Sequence, residues 1–305
     1  MSAKPWLRRL ITLVLWLAIA YFFAVVLRQV DWRAVGSHRL NLPLALLVLV
    51  LGTANRFFLP AVWTMVLSSL EGKPLRVRAL LWPYAESWMA RYLPGKVAFI
   101  GTRVLAAEQY GYSRVNAIIS GGVEVVLQVV SITALSIVLL SLGLRSHVPF
   151  NIWPVLATAA ALAVLISPPV LRQVVDLYLH LRKKTDLSVS YLSWATVFSC
   201  VMALAAMYVV QSVYSILLAK SLDLAVSAQW ALLLGAIFLS SIAGMVAFFS
   251  PGGIGVRELV FVQLLQPWYP KDQLVIFVIF WRLAETVMDL LFVGAARFLS
   301  RNADL

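Results

Sequence analysis

Residues 94–101 read PGKVAFIG and residues 251–258 read PGGIGVRE, and each stretch lies within a long apolar segment. Proline removes a backbone donor and glycine adopts unusual dihedral angles, so each stretch should interrupt a helix. We therefore predict that segments 79–110 and 228–266 are re-entrant helical hairpins. Residues 228–249 are also long enough for one complete span, and that alternative stays open. The bends are assigned to Pro94, Gly95, Pro251, Gly252 and Gly253.

The composition of the whole chain is that of a membrane protein. Of 305 residues, 62% are hydrophobic and 12% are charged, whereas soluble domains have about 45–50% apolar and about 25% charged residues. The polar interruptions between apolar stretches are too short to fold a soluble enzyme. His38, His147 and His180 are scattered, and the glycine-rich nucleotide-binding motifs are absent from the sequence, so we expect no metal site and no cofactor.

Hydropathy predicts six full spans around the two hairpins. They cover residues 10–27, 43–70, 114–143, 152–167, 189–219 and 273–299. Pro168 and Pro169 should end the fourth span, and residues 170–184 are predicted to form an interfacial helix. The fold class is thus an all-α, multi-pass integral membrane protein with a single domain over residues 1–305.

The distribution of basic residues predicts the orientation in the membrane, because cytoplasmic loops carry the excess of lysine and arginine. With the N-terminus and the C-terminus both cytoplasmic, twelve basic residues fall in inner loops and six in outer loops. The net charge of +12 is then explained by basic loops beside anionic headgroups. No nucleic-acid partner is expected.

The two broken segments belong to a repeated order of elements. Pro94 is followed after 30 residues by Glu124, and Pro251 is followed after 34 by Glu285, each acid lying in the next predicted span. Residues 43–143 and 189–299 each read as span, hairpin, span, and the linker at 152–184 makes the second unit enter from the opposite side. This order predicts an inverted repeat with a site between its units. Chance coincidence of two Pro-Gly kinks is the alternative.

Charged residues inside the apolar segments are candidate site residues, because each costs at least ~2.5–3.5 kcal/mol at bilayer depth. The predicted substrate-binding residues are Arg56, Arg91, Lys96, Arg257 and Arg282, and the predicted coupling or structural acids are Glu86, Glu124, Glu258, Glu285 and Asp289. Arg282 and Glu285 share a helical face, which predicts a salt bridge. Glu285 and Asp289 also share that face, and should repel unless a cation intervenes or one carries a proton.

Three further charges lie nearer the predicted membrane surface. Arg114 begins a span and is interpreted as interfacial, with its side chain reaching towards the headgroups. For Arg103 and Glu108, an interfacial position and a position in the cavity both stay open.

The motifs RYLPGKVAFIGTRVLAAEQYGYS at 91–113, FFSPGGIGVRELVFVQLL at 248–265 and WRLAET at 281–286 resemble a known family. They are similar to the transmembrane flippase region of lysylphosphatidylglycerol synthetases, which also occurs alone in bacteria and archaea. The resemblance covers residues 40–299 and implies lipid translocation in the cytoplasmic membrane. The soluble aminoacyl transferase of the synthetases has no counterpart after Leu305, so we expect no lysyl transfer and no enzyme.

The leading hypothesis is a flippase whose cationic cavity binds an anionic lipid or a polyprenyl-phosphate-linked glycolipid. Arginine forms bidentate contacts with phosphate, and this motivates the assignment. A membrane-embedded transferase or phosphatase using Glu124, Glu285 and Asp289 is the first alternative. The second is a noncatalytic partner subunit of a glycosyltransferase or lipid-modifying enzyme.

Overall fold

A computed structural model of the protein describes residues 40–90, 97–145, 151–181, 191–225, 229–247, 253 and 255–301. These residues form eleven α-helices and no strand. The helices are α1 (Leu42–Asn55), α2 (Phe58–Glu71), α3 (Val77–Met89), α4 (Val97–Gln109), α5 (Arg114–Leu144), α6 (Ile152–Leu165), α7 (Pro168–Leu181), α8 (Trp194–Ser221), α9 (Trp230–Val246), α10 (Val256–Leu265) and α11 (Lys271–Arg301).

Local sequence explains where the long helices begin. Ser113 and Ser193 precede α5 and α8, and each hydroxyl accepts a hydrogen bond from the backbone N–H three residues further on, at 3.2 and 3.1 Å. Asn41 does the same for α1 at 3.3 Å. These contacts satisfy N–H groups that have no partner in the first turn of a helix. Pro168 begins α7, where its missing N–H costs nothing.

The second predicted span is present but broken. Helices α1 and α2 together cover the apolar stretch Leu42–Glu71, with a turn at Arg56 and Phe57. Pro60 accounts for the break, because its ring excludes the hydrogen bond that residue 60 would otherwise donate to the carbonyl of Arg56. The break therefore places an arginine at an irregular point within a membrane helix.

The protein is a multi-pass membrane protein, but the count of six spans is not confirmed. Three described stretches are long and apolar enough to cross a membrane, namely Leu42–Glu71, Arg114–Leu144 and Trp194–Ser221. A fourth exists if α6 and α7, which are bent by 49°, count as one span. Helix α11 has the necessary length, but Arg282, Glu285 and Asp289 lie within it.

Both predicted hairpins consist of two helices that pack against each other: α3 with α4, and α9 with α10. Helix α9 has 17 residues and is therefore about 25 Å long, shorter than the ~30 Å hydrocarbon core. At the second bend, Gly253 and Gly255 have φ angles of 73° and 82°, which side chains disfavour. The re-entrant hairpin over residues 228–266 stays a prediction, and so does its alternative of a complete span.

The two predicted repeat units interleave. The last helix of the first unit, α5, packs against α9 in the second, and the last helix of the second unit, α11, packs against α3 in the first. Helix α1 packs against both α8 and α11. The close contact of α5 and α9 depends on Gly143 and Gly235, since a Cβ atom at either would lie within 2.8 Å of backbone nitrogen on the other helix. The inverted relation of the two units stays a prediction.

Several predictions fall on residues that the structure does not describe. They are the first span at 10–27, the last residues of the interfacial helix, the site residues Arg91 and Lys96, and the bend residues Pro94, Gly95, Pro251 and Gly252. Helix α7 covers most of the predicted interfacial segment, and its apolar residues Leu171, Val175 and Leu179 are buried at helical spacing.

Candidate functional site

The break between α1 and α2 directs Arg56 towards two acids on α11. Its Nε atom donates a hydrogen bond to Oδ1 of Asp289 at 2.8 Å, and an NH2 atom lies 3.9 Å from Oε1 of Glu285. Glu285 and Asp289 do share one face of α11, as their spacing predicts, and the cation between them is Arg56. Asp289 has no exposed surface, so its charge depends on these partners.

Glu285 also binds two further arginines. Arg257, on α10, approaches both of its carboxylate oxygens, at 3.1 and 3.4 Å, and donates to the hydroxyl of Ser241 at 3.0 Å. Arg282 lies 3.4 Å from the same carboxylate, which confirms the predicted pair one turn apart. The Nε atom of Arg282 binds Glu258 on α10. Glu285 is thus shared by three guanidinium groups.

We call these six residues the α11 cluster: Arg56, Arg257, Glu258, Arg282, Glu285 and Asp289. It contains three positive and three negative side chains, so its formal charge is zero when all are ionised. The predicted cationic cavity stays a prediction, but among the described residues each of these three arginines is paired with an acid. The reason is spatial, because acids that look separate in the sequence converge on the same arginines.

Gly244 on α9 determines where Arg257 lies. A Cβ atom at residue 244 would be 2.3 Å from Cγ and 2.6 Å from Cδ of Arg257. The Cα atom of Gly253 also approaches residue 244 closely, which brings the start of α10 against α9. The absent side chain of Gly244 therefore makes room for the arginine stem and lets its guanidinium group reach Glu285.

A cavity of about 270 Å³, including its open mouth, lies between α9, α10 and α11 next to this cluster. Arg257, Glu258 and Arg282 form its polar part. Phe261, Phe277 and Trp281 contribute aromatic rings to the rest of its wall, together with aliphatic side chains. A cavity with a few charged groups at one part and apolar groups elsewhere is suited to an amphiphilic ligand.

A second buried ion pair lies in the first unit. Arg103 on α4 binds Glu124 on α5, and both side chains are buried. Glu124 also accepts hydrogen bonds from the hydroxyl of Tyr84 at 2.7 Å and the amide of Gln128 at 2.8 Å. The Nε atom of Arg103 donates to Ser87 at 2.9 Å. Polar and aromatic partners enclose this pair, and neither Arg103 nor Glu124 lines the cavity next to the α11 cluster.

Helix α3 contacts both charged groups. Tyr84 donates to Glu124, and Trp88, one turn later, donates from Nε1 to Oδ1 of Asp289 at 3.1 Å. The two rings stack with centroids 6.1 Å apart. A displacement of α3 would therefore disturb contacts with both α5 and α11.

Comparison with known protein families agrees with the motifs in the sequence. The family model described as lysylphosphatidylglycerol synthase TM region matches residues 9–292. The chain belongs to this family. No curated protein and no solved structure matches it. Membership of the lysylphosphatidylglycerol synthase TM region family links the protein to membrane lipids, and confirms the resemblance seen in the sequence.

Within this member of the lysylphosphatidylglycerol synthase TM region family, the structure brings together most described candidates. Arg56, Arg257 and Arg282 meet Glu258, Glu285 and Asp289 in the α11 cluster, while Glu124 lies in the separate pair with Arg103. Arg114 pairs with Glu108 where both are partly exposed, as expected near an interface. The sequence left both an interfacial and an internal position open for Arg103 and Glu108. Arg103 is buried, whereas the side chain of Glu108 is partly exposed.

Glu86 differs from the other predicted acids. It lies on α3 between Tyr84 and Trp88, but its side chain is exposed and takes part in none of the ion pairs among the described residues. A helix turns by about 100° per residue, so a residue two positions from an inward-facing one points away from it. Glu86 therefore lies on a different face of α3 from Tyr84 and Trp88, and its assignment as a coupling or structural acid stays a prediction.

Sequence reasoning missed Tyr84, Trp88 and Gly244. Their roles depend on which helices meet, so composition alone gave no signal for them. The spacing of Tyr84 and Trp88 at i and i+4 did place both rings on one face of α3. Gly244 could have been noticed as a glycine within an otherwise apolar helix, which is often a point of close packing in membranes.

Proposed function

We propose that the protein moves a lipid with an anionic phosphate headgroup across the membrane, in the manner of a flippase. The observation that carries this proposal is the placement of Arg257 and Arg282 in the wall of a cavity within a bundle of apolar helices. Membership of a family linked to membrane lipids supports it. The headgroup would enter the cavity while the hydrocarbon tails stay in the bilayer.

The arginines reach phosphate by exchanging partners. In the structure each guanidinium group is paired with a carboxylate, and planar guanidinium groups accept phosphate in the same bidentate geometry. Phosphate would take the place of Glu285 beside Arg257. The N–H groups of Arg257 would then keep an anionic hydrogen-bond acceptor before and after the exchange. An exchange of this kind avoids leaving an arginine buried without a partner.

The exchange of phosphate for Glu285 also requires a proton to bind. The α11 cluster is formally neutral, so a phosphate diester would bring one uncompensated negative charge into it. Uptake of a proton by a displaced carboxylate restores neutrality, and Glu285 is the acid with the most partners to lose. We propose that Glu285 is this coupling acid, and that Glu124 is its structural counterpart in the first unit.

The proposed architecture has six spans and two re-entrant hairpins in an inverted repeat, with both termini in the cytoplasm of a bacterial or archaeal cell. The reciprocal packing of α5 with α9 and of α11 with α3 supports this arrangement. An inverted repeat places two similar gates on opposite sides of one site, which is what alternating exposure to the two leaflets requires.

The test uses purified protein in liposomes that contain fluorescent phosphatidylglycerol, with chemical quenching of the outer leaflet. Wild-type protein should exchange the lipid between leaflets, and Arg257→Lys should slow exchange at least tenfold because lysine cannot bind phosphate bidentately. Arg172→Lys, at an exposed pair on α7, is the control and should exchange normally. Equal rates in wild-type and empty liposomes would refute the proposal.

The same liposomes separate the alternatives. Mass spectrometry of the recovered lipid would reveal a chemically altered headgroup if the protein were a transferase or phosphatase. Neither exchange nor alteration would favour a noncatalytic partner of a glycosyltransferase. The proposal itself assigns no catalytic residue.

A further inference from the structure

One buried polar atom of a residue in the cavity wall is not explained by phosphate binding. Glu258 uses Oε1 for its pair with Arg282, and its second oxygen, Oε2, is buried and accepts no hydrogen bond from any described residue. A buried acceptor without a donor destabilises the folded state. This atom is therefore suited to receive a hydrogen bond from a ligand in the cavity.

The surroundings of Glu258 decide which donor fits. Arg257 and Arg282 belong to the same cavity wall, so an ammonium group beside Glu258 would also face two guanidinium groups of like charge. A hydroxyl group is neutral and avoids that repulsion. It can donate to Oε2 and accept from a guanidinium N–H at the same time.

The rest of the wall suits a ring rather than a linear chain. Phe261 and Phe277 stack with centroids 5.2 Å apart, and Trp281 lies 5.6 Å from Phe277, so the three rings form a continuous apolar wall. The hydroxyl of Ser240 belongs to the same cavity. A ring with polar edges and C–H faces matches these walls.

We propose that the cavity between α9, α10 and α11 binds a polyhydroxylated ring in the lipid headgroup, that is, a sugar or cyclitol attached to the phosphate. Glu258 Oε2 accepts a ring hydroxyl, the aromatic wall packs against the ring face, and Arg257 binds the adjoining phosphate. This inference rests on the proposed function and narrows its substrate to hydroxylated phospholipids or phosphoglycolipids.

The experiment measures binding of three short-chain lipids to the purified full chain by native mass spectrometry. The probes are dioctanoyl phosphatidylinositol, with a cyclic polyol, dioctanoyl phosphatidylmethanol, with phosphate alone, and dioctanoyl phosphatidylethanolamine, with an ammonium group. Wild-type protein should bind the inositol lipid at least tenfold more tightly than either of the others. Equal affinities, or a preference for the ethanolamine lipid, would overturn the inference.

Variants assign the preference to Glu258. Glu258→Ala should reduce it to less than threefold while binding of phosphatidylmethanol persists, and Glu258→Gln, which keeps an oxygen for Arg282, should retain an intermediate preference. Glu108→Ala, at the exposed pair with Arg114, is the matched control and should keep the full preference. An undiminished preference in Glu258→Ala would show that another group selects the ring.

The outcomes for this inference and for the proposed function are distinguishable. One outcome is that wild-type protein binds phosphatidylmethanol as tightly as the inositol lipid, with weaker binding of phosphatidylmethanol in Arg257→Lys. In that case phosphate recognition is supported and ring recognition is refuted. If none of the three lipids binds, the proposed function itself fails.

Discussion

Arg56 Nε donates a hydrogen bond to Asp289 Oδ1 at 2.8 Å, across 233 residues of chain, and thereby joins the break between α1 and α2 to the middle of α11. Both side chains are buried, and Trp88 on α3 donates to the same oxygen. Three helices from both predicted repeat units therefore meet at one carboxylate. This contact has a structural role that the sequence-based assignment of Arg56 to substrate binding did not include.

The first prediction follows from that contact. Arg56→Met removes the cation from a fully buried Asp289, and breaking a buried pair by removing one partner costs about 3–5 kcal/mol. We expect a large loss of thermal stability in detergent. The double variant with Asp289→Asn should recover most of it, because no unpaired charge is left.

An exposed pair provides the control for this double-mutant cycle. Arg172→Met and Asp176→Asn, one turn apart on α7, should each change stability by less than ~1 kcal/mol. A single Arg56→Met variant as stable as the wild type would contradict the structural assignment of the pair.

The sequence was informative where a feature depends on neighbours along the chain. The spacing of Arg282 and Glu285 predicted their ion pair, and the Pro-Gly stretches predicted that segments 79–110 and 228–266 each divide into two helices. The break at Arg56 also had a local signal in Pro60, although the apolar stretch 43–70 was interpreted as one span.

Contacts between distant helices were not predictable in this way. Nothing local to Arg103 indicates that it meets Glu124 rather than Glu108, and nothing local to Arg56 indicates Asp289. These pairs depend on which helices are adjacent and on their rotation, which many residues decide together. For the same reason the neutrality of the α11 cluster emerged only from the three-dimensional structure.

The second prediction concerns Gly244. Alanine is a better helix former than glycine by about 1 kcal/mol, so Gly244→Ala would stabilise α9 if the position were open. Because its Cβ atom would lie 2.3 Å from Arg257 Cγ, we expect instead a displaced Arg257 and lipid exchange slowed at least fivefold. The liposome assay measures this.

Gly294→Ala on α11 is the matched control, since a Cβ atom there meets no neighbour within 4 Å. It should preserve both exchange and stability. Normal exchange in Gly244→Ala would show that the stem of Arg257 can shift without functional cost.

The third prediction tests the inverted repeat. In a chain whose single cysteine, Cys200, is replaced by alanine, a cysteine is introduced either at Leu75 before α3 or at Trp230 at the start of α9. Both positions are exposed. The inverted arrangement places the start of the first hairpin in the cytoplasm and the start of the second outside, so a membrane-impermeant maleimide added to intact cells should label only the cysteine at 230.

Labelling of the cysteine at 75 should require broken cells or inside-out vesicles. If both cysteines react from the same side, the two units have the same orientation and the repeat is not inverted. The reciprocal packing of α5 with α9 and of α11 with α3 would then need another explanation.

The last prediction concerns proton coupling by Glu285. Three arginines face Glu285: Arg56 from the break after α1, Arg257 from α10 and Arg282 from α11. Asp289 lies one turn further along α11, and Tyr214 on α8 adds a hydroxyl group. When phosphate binds Arg257, Glu285 loses one of its three positively charged partners. Protonation of Glu285 then accompanies binding, so affinity for an anionic lipid should rise as pH falls, by up to tenfold per pH unit for one proton.

Glu285→Gln imitates the protonated state and should make binding of phosphatidylmethanol tight and independent of pH. Glu108→Gln, at the exposed pair, should leave the pH dependence of the wild type unchanged. A fixed ion pair that only holds helices together predicts the reverse result for Glu285→Gln, namely lower stability and the same pH dependence in the protein that survives. Measuring affinity and thermal stability on the same samples from pH 5 to pH 8 therefore separates a coupling acid from a purely structural one.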